Sequence, residues 1–199
     1  MKARRAAWGE EFAGIDPSRL VFIAESGAST AMDRTHGRSP SGVRVDGPVP
    51  HGPWRTITLT AAVRLDGVGA RLAFDGATDA AAFETYVEKC LVPTLRPGDI
   101  VILDNLSAHK SAEAARLIAA AEAELRFLPP YSPDLNPIER MFSKLKTWMR
   151  GAKARAFEAV IDAMGDGPRA VRPKDLIGWF RQSGYQVQQS SDTPKKKSL

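Results

Sequence analysis

Asp104 follows four apolar residues, Ile100-Val101-Ile102-Leu103, and so stands where a buried strand ends. A carboxylate there emerges at the carboxyl edge of a sheet, where open α/β folds build their sites. Asp-Asn pairs also open ordinary turns, and Asp104-Asn105 alone does not separate the two readings. A second carboxylate, Glu139, closes the stretch Pro133-Asp134-Leu135-Asn136-Pro137-Ile138-Glu139, three positions after an Asn cap and two after a first-turn proline. A Glu in that position closes a capping box, or it turns outward as a ligand. Two hard oxygen donors, one from a strand end and one from a helix start, are the kind of pair that shares a divalent cation.

The apolar pattern supplies the elements that must present them. Leu20-Val21-Phe22-Ile23-Ala24 reads as a buried strand, and the many Gly and Pro residues from Ser26 to Pro53 predict a long loop or ragged hairpin. Thr56 to Val63 and Ala70 to Phe74, joined at Asp66-Gly67, predict a β-hairpin. Phe83, Tyr86, Val87, Cys90 and Leu91 recur at helical spacing up to Pro93, and Ile100 to Leu103 forms the next strand. Ala114, Leu117, Ile118 and Ala121 mark a helix, Leu125 to Leu128 a short strand, and Pro129-Pro130 a stop. Asn136-Pro137 starts a helix whose inner face is Ile138, Met141, Phe142, Leu145 and Met149, and two more helices are expected over Phe157 to Met164 and Asp175 to Phe180. Antiparallel strands first and crossovers later predict an α/β fold with a mixed sheet of about five strands, the first three antiparallel, flanked by helices with extra C-terminal ones.

Composition narrows the partners. The chain has 199 residues, 43% of them hydrophobic, enough for one buried core. Lys and Arg number 28 against 23 Asp and Glu, and the net charge of +5 favours a polyanion. The single cysteine, Cys90, excludes an internal disulfide framework or a cysteine-based zinc site. The basic start, Met1 to Arg5, runs into Trp8, Glu10 and Glu11 without the apolar core of a signal peptide, and no run approaches transmembrane length, so a cytoplasmic location without membrane contact is expected.

The stretches Val101-Ile102-Leu103-Asp104-Asn105-Leu106-Ser107-Ala108-His109 and Leu128-Pro129-Pro130-Tyr131-Ser132-Pro133-Asp134-Leu135-Asn136-Pro137-Ile138-Glu139 resemble the signature segments of mariner-type DDE transposases. The 34 residues between Asp104 and Glu139 match the interval typical of that superfamily. Two motifs at a set spacing are far more specific than either alone. The resemblance runs from Leu20 to Arg150 and takes in Glu25 to Thr30 and Gly37 to Gly42. It implies an RNase H-like endonuclease domain that cuts and joins DNA, with Asp104 and Glu139 as catalytic metal ligands and two Mg²⁺ or Mn²⁺ ions in an active relative. Asn105 and His109 are implied as auxiliary residues, His109 bracing Asp104 or orienting substrate.

In the bacterial insertion-sequence branch of this superfamily the first strand ends in an Asp-Glu pair, and that Asp is the first metal ligand. This chain carries Ala24-Glu25 instead. Glu25 is the adjacent substitute, but successive strand side chains point to opposite faces, so it aims away from the site unless the strand bulges. Asp33, in the irregular segment that follows, is the remaining acidic candidate. The expected consequence is an impaired enzyme, and the alternative is a non-cutting protein that grips DNA or an active transposase. An RNase H-like nuclease acting outside transposition is a third reading.

Arg140, Lys144, Lys146 and Arg150, continued by Lys153 and Arg155 with Trp148 and Phe157 interleaved, make a basic stretch suited to DNA phosphates or to a solvated helix face. The expected division is a basic N-terminal extension over 1–17, the catalytic domain over 18–152, a helical extension over 153–185 and a disordered basic tail over 186–199. No room for a helix-turn-helix reader is seen before the first strand, which implies a partner carrying one, a second-frame product or a fragment. Pairing of two copies is implied by the resemblance.

Overall fold

The computed structural model describes residues 2–34, 36–47, 54–106, 109–152 and 157–187. Strand β1 (Leu20–Ser29) takes the centre of the sheet because both of its faces are apolar. Leu20, Phe22, Ala24 and Ala28 pack into one core, Val21 and Ile23 into another. β1 pairs antiparallel with β2 (Thr56–Arg64), which pairs antiparallel with β3 (Gly67–Asp75). On its other side β1 runs parallel to β4 (Ile100–Leu103), and β4 parallel to β5 (Glu124–Phe127). The order β3-β2-β1-β4-β5, with helices on both faces, is the RNase H-like arrangement the sequence led us to expect.

Helices α1 (Lys2–Phe12), α4 (Ile138–Ala152), α5 (Phe157–Asp166) and α6 (Pro173–Gln182) cover the Leu20 and Phe22 face with Trp8, Phe12, Met141, Phe142, Val160 and Phe180. The opposite face is closed by α2 (Ala80–Tyr86), which continues into a π turn over Val87–Leu91, and by α3 (Ala112–Ala120). Buried Arg64 and Asp99 form a forked ion pair that ties the end of β2 to the residue before β4.

Three features go beyond the sequence pattern. The segment 1–17 carries α1, with Trp8 stacked on Phe12 at 4.1 Å between ring centroids. Trp8 Nε1 donates to Tyr185 Oη at 3.2 Å, and Tyr185 Oη donates to the Leu135 carbonyl at 2.8 Å, so α1 and the segment after α6 close on the loop before α4. α5 and α6 are the expected C-terminal helices, and Val160, Met164, Leu176 and Phe180 carry them into the same core as β1. β1 also outruns its apolar run: Ser26, Gly27, Ala28 and Ser29 pair with Leu59, Thr58, Ile57 and Thr56, since the ladder needs backbone groups rather than apolar side chains. The tail from 188 onward lies outside the described residues.

If α1 is integral, Trp8→Ala lowers unfolding free energy by about 3–4 kcal/mol in guanidinium titration, as for other buried large-to-small changes, while Lys2→Ala, exposed on the same helix, changes it little. Equal effects of the two substitutions would show α1 to be peripheral.

Candidate active site

The parallel register sets Phe22 beside Ile102. Carried two residues further, it aligns Ala24 with Asp104, and both positions share the parity of the side chains that face α4. Asp104 is 43% exposed in its side chain. Its Oδ1 accepts the Leu106 N–H at 3.1 Å and lies 2.7 Å from His109 Nδ1, leaving Oδ2 without a hydrogen bond among the described residues. Asn105 Nδ2 donates to the Leu128 carbonyl and Leu128 N–H donates to the Leu103 carbonyl at 2.8 Å, which fastens the end of β4 to the segment after β5.

That segment turns through Pro129-Pro130, then a 3₁₀ turn over Pro133–Leu135, to reach α4. Buried Asn136 caps the helix by accepting the Ile138 N–H at 3.3 Å, while its own N–H donates to the Pro133 carbonyl at 3.0 Å. Glu139 is therefore not engaged in a capping box, and its side chain forms no hydrogen bond or ion pair among the described residues. From α1, Arg5 holds the same segment with a fork, Nη1 donating to Ser132 Oγ at 2.8 Å and to Asp134 Oδ1 at 2.9 Å, and Nη2 to Asp134 Oδ2 at 2.5 Å.

Asp104 and Glu139 line one cavity of about 450 Å³, together with Asn105, Leu106, Pro129 and Tyr131. Although Glu139 is exposed as a residue, partial desolvation of its carboxyl raises its pKa, Lys146 lowers it, and the charge of Asp104 raises it again. The charge of Asp104 is thus felt at Glu139. Burial pushes Asp104 upward but is outweighed by its hydrogen bonds from His109 and the Leu106 N–H, and the net shift is downward.

Glu25 takes the direction that strand alternation dictates. Its Oε1 lies 3.3 Å from His109 Nε2, so the imidazole bridges Glu25 and Asp104, almost wholly buried and 4.6 Å from the Phe83 ring. Burial disfavours the charged imidazole, yet the hydrogen bonds and charges of Asp104 and Glu25 raise its pKa to about 9. Glu25 is thus occupied with a cation of the protein's own. Ala24 presents a methyl group on the α4 side, and Asp33 is followed by Arg34 and His36, which line a different cavity with Thr147 and Arg150. Among the described residues no group of three or more His, Cys, Asp or Glu is placed to hold a metal. Asp104 and Glu139 are hard oxygen donors on one cavity, the donor chemistry that divalent cations take, and they are fewer donors than a pair of such ions uses.

The basic residues of α4 divide. Arg140 is exposed beside Glu139 on a second cavity of about 710 Å³, shared with Lys144, Arg172, Asp175 and Trp179. Lys144 Nζ bonds Asp175 Oδ2 at 2.6 Å, and with the Arg172 N–H it holds Asp175 down to about 2, so this lysine ties α4 to α6. Lys146 lies two turns along the helix from Glu139 and acts on its charge. Arg150 lies beyond, on the cavity of Arg34 and His36. Lys153 and Arg155 fall outside the described residues. Arg5, Arg172 and Trp179 escaped the sequence reading, since nothing local marks residues brought in from remote elements.

A family model described as DDE superfamily endonuclease matches residues 19–161. This chain belongs to that family. Solved structures share the fold over 92–94% of the chain. The Mos1 transposase paired-end complex with left transposon end gives a TM-score of 0.76 at 14% identity, over 92% of this chain and 57% of that one. The mariner Mos1 paired end complex with Mg gives 0.68 at 16% identity, over 92% and 58%. The catalytic domain of Mos1 mariner transposase gives 0.59 at 15% identity, over 94% and 93%. The chain thus spans little more than half of the transposase chains in those complexes and nearly all of the isolated catalytic domain. Among curated proteins no sequence matches. No described helix is long and apolar enough to cross a membrane.

The His109 bridge has a pH signature. Its folded pKa of about 9 exceeds the ordinary 6.5, so its contribution to stability is complete below pH 6.5 and is lost as pH rises through about 9. In metal-free buffer the melting temperature falls over that interval, and His109→Gln flattens the fall. Parallel profiles for the two proteins would rule the bridge out.

Proposed function

We propose that this chain is the catalytic domain of a transposase of the bacterial insertion-sequence branch, acting on DNA in the cytoplasm by metal-dependent phosphoryl transfer, and that Ala24 leaves it impaired. The observation that carries this reading is the meeting of Asp104 and Glu139 on one cavity, with Ala24 on the same side of the sheet. Asp104 and Glu139 are the residues that would hold Mg²⁺ or Mn²⁺. A bound divalent ion supplies positive charge to the scissile phosphate and to the attacking and leaving oxygens.

The chain's own part is to hold the carboxylates. His109 and the Leu106 N–H fix Asp104 through Oδ1 and leave Oδ2 for a cation. Glu139, raised by desolvation and by Asp104, would be returned to its charged form by a cation held in the cavity. Arg140 and Lys146, on the same helix as Glu139, offer phosphate contacts, whereas Lys144 serves this less because Asp175 neutralises it. Transposon ends and target DNA are the substrates, with a second copy or a helix-turn-helix-bearing transposase as partner.

Ala24 also favours a second reading, a transposase-derived protein that binds DNA or an active transposase without cutting. Nicking of supercoiled plasmid in Mn²⁺ separates the two. Ala24→Asp raises the nicking rate by on the order of 10³- to 10⁴-fold, the scale on which single catalytic groups count, and adding Glu139→Gln abolishes the gain. A parent protein that nicks as fast as Ala24→Asp would refute the impairment, and an Ala24→Asp variant without activity would leave the binding role.

A further inference from the structure

Tyr131 is the most exposed large apolar side chain among the described residues, at 86%, and it stands on the rim of the cavity that holds Asp104 and Glu139. Its backbone has φ +54°, a left-handed conformation rare for a bulky residue and characteristic of ligand clamps. The surroundings enforce it. Pro129 and Pro130 restrict the approach, and the next residue, Ser132, is buried with its hydroxyl donating to the Pro130 carbonyl and accepting from Arg5. Leu106 lines the same cavity and is 53% exposed. Neither side chain contributes to the core or carries a charge for a phosphate or cation. An apolar rim with an aromatic face, held rigidly beside two carboxylates, calls for a flat apolar partner that arrives with the phosphate.

We propose that Tyr131 and Leu106 form a stacking site for one unpaired nucleobase of the DNA strand that enters the carboxylate cavity. The inference rests on the DNA reading above and deepens it. A cavity of about 450 Å³ falls in the range of sites for single small ligands and is too small for a base pair stack. A base can enter only from a single-stranded stretch or by leaving its helix. Stacking on an aromatic ring tolerates any base, so the site selects unpaired over paired DNA and not one sequence over another.

The test uses a duplex with a three-nucleotide 3′ extension carrying 2-aminopurine, the blunt duplex as its control, and Ca²⁺ to permit binding without cutting. Fluorescence anisotropy is expected to give about tenfold tighter binding of the extended duplex, in line with the strength of one base–aromatic stack, with quenching of the 2-aminopurine signal. Tyr131→Ala and Tyr131→Gly, the second of which accepts the positive φ, remove both effects, and Tyr131→Phe keeps them. Equal affinity for the two duplexes, or quenching that survives in Tyr131→Gly, overturns the stacking site while leaving the DNA reading in place. Failure to bind either duplex overturns both.

Discussion

A β-strand sends successive side chains to opposite faces, and this two-residue period decides what the site can contain. Because β1 and β4 run side by side in parallel, Ala24 and Asp104 fall on the same face, over α4, while Glu25 falls on the other. An acidic residue one position out of phase is not a substitute for one in phase. Glu25 reaches His109 instead, and the imidazole carries the interaction back to Asp104 at the sheet edge. The chain thus holds an imidazole between two carboxylates on one side of the site and the methyl group of Ala24 in register with Asp104 on the other.

The other half of the site depends on how α4 begins. Pro133 and Asn136 satisfy the backbone around the helix start, so Glu139 is free to face the cavity. Arg5 on α1 and Tyr185 after α6 hold the preceding segment, one by a fork on Asp134 and the other through the Leu135 carbonyl. The position of Glu139 is therefore a property of the whole α1, α4 and α6 face, and helices that looked like appendages in the sequence are part of the scaffold.

The sheet, the hairpin and both carboxylates were legible because each is encoded locally, by an apolar run ended by Asp104 or by a cap and proline ahead of Glu139. The parity argument for Glu25 was legible for the same reason. Helix α1 was not, since Trp8 and Phe12 make a single i,i+4 apolar pair among charged and small residues, and their burial is completed by Tyr185 far along the chain. Contacts such as Glu25 with His109, Lys144 with Asp175 and Arg5 with Asp134 join distant segments. No local pattern announces them, and they appear only when the fold brings the elements together.

The central claim is that Asp104 and Glu139 act together on one divalent ion. Mn²⁺ titration followed by electron paramagnetic resonance tests it directly on the purified protein. The account predicts one bound Mn²⁺ per chain, lost in Asp104→Asn and in Glu139→Gln alike, with the double variant no worse than either. Undiminished Mn²⁺ binding when either carboxylate is neutralised would contradict it.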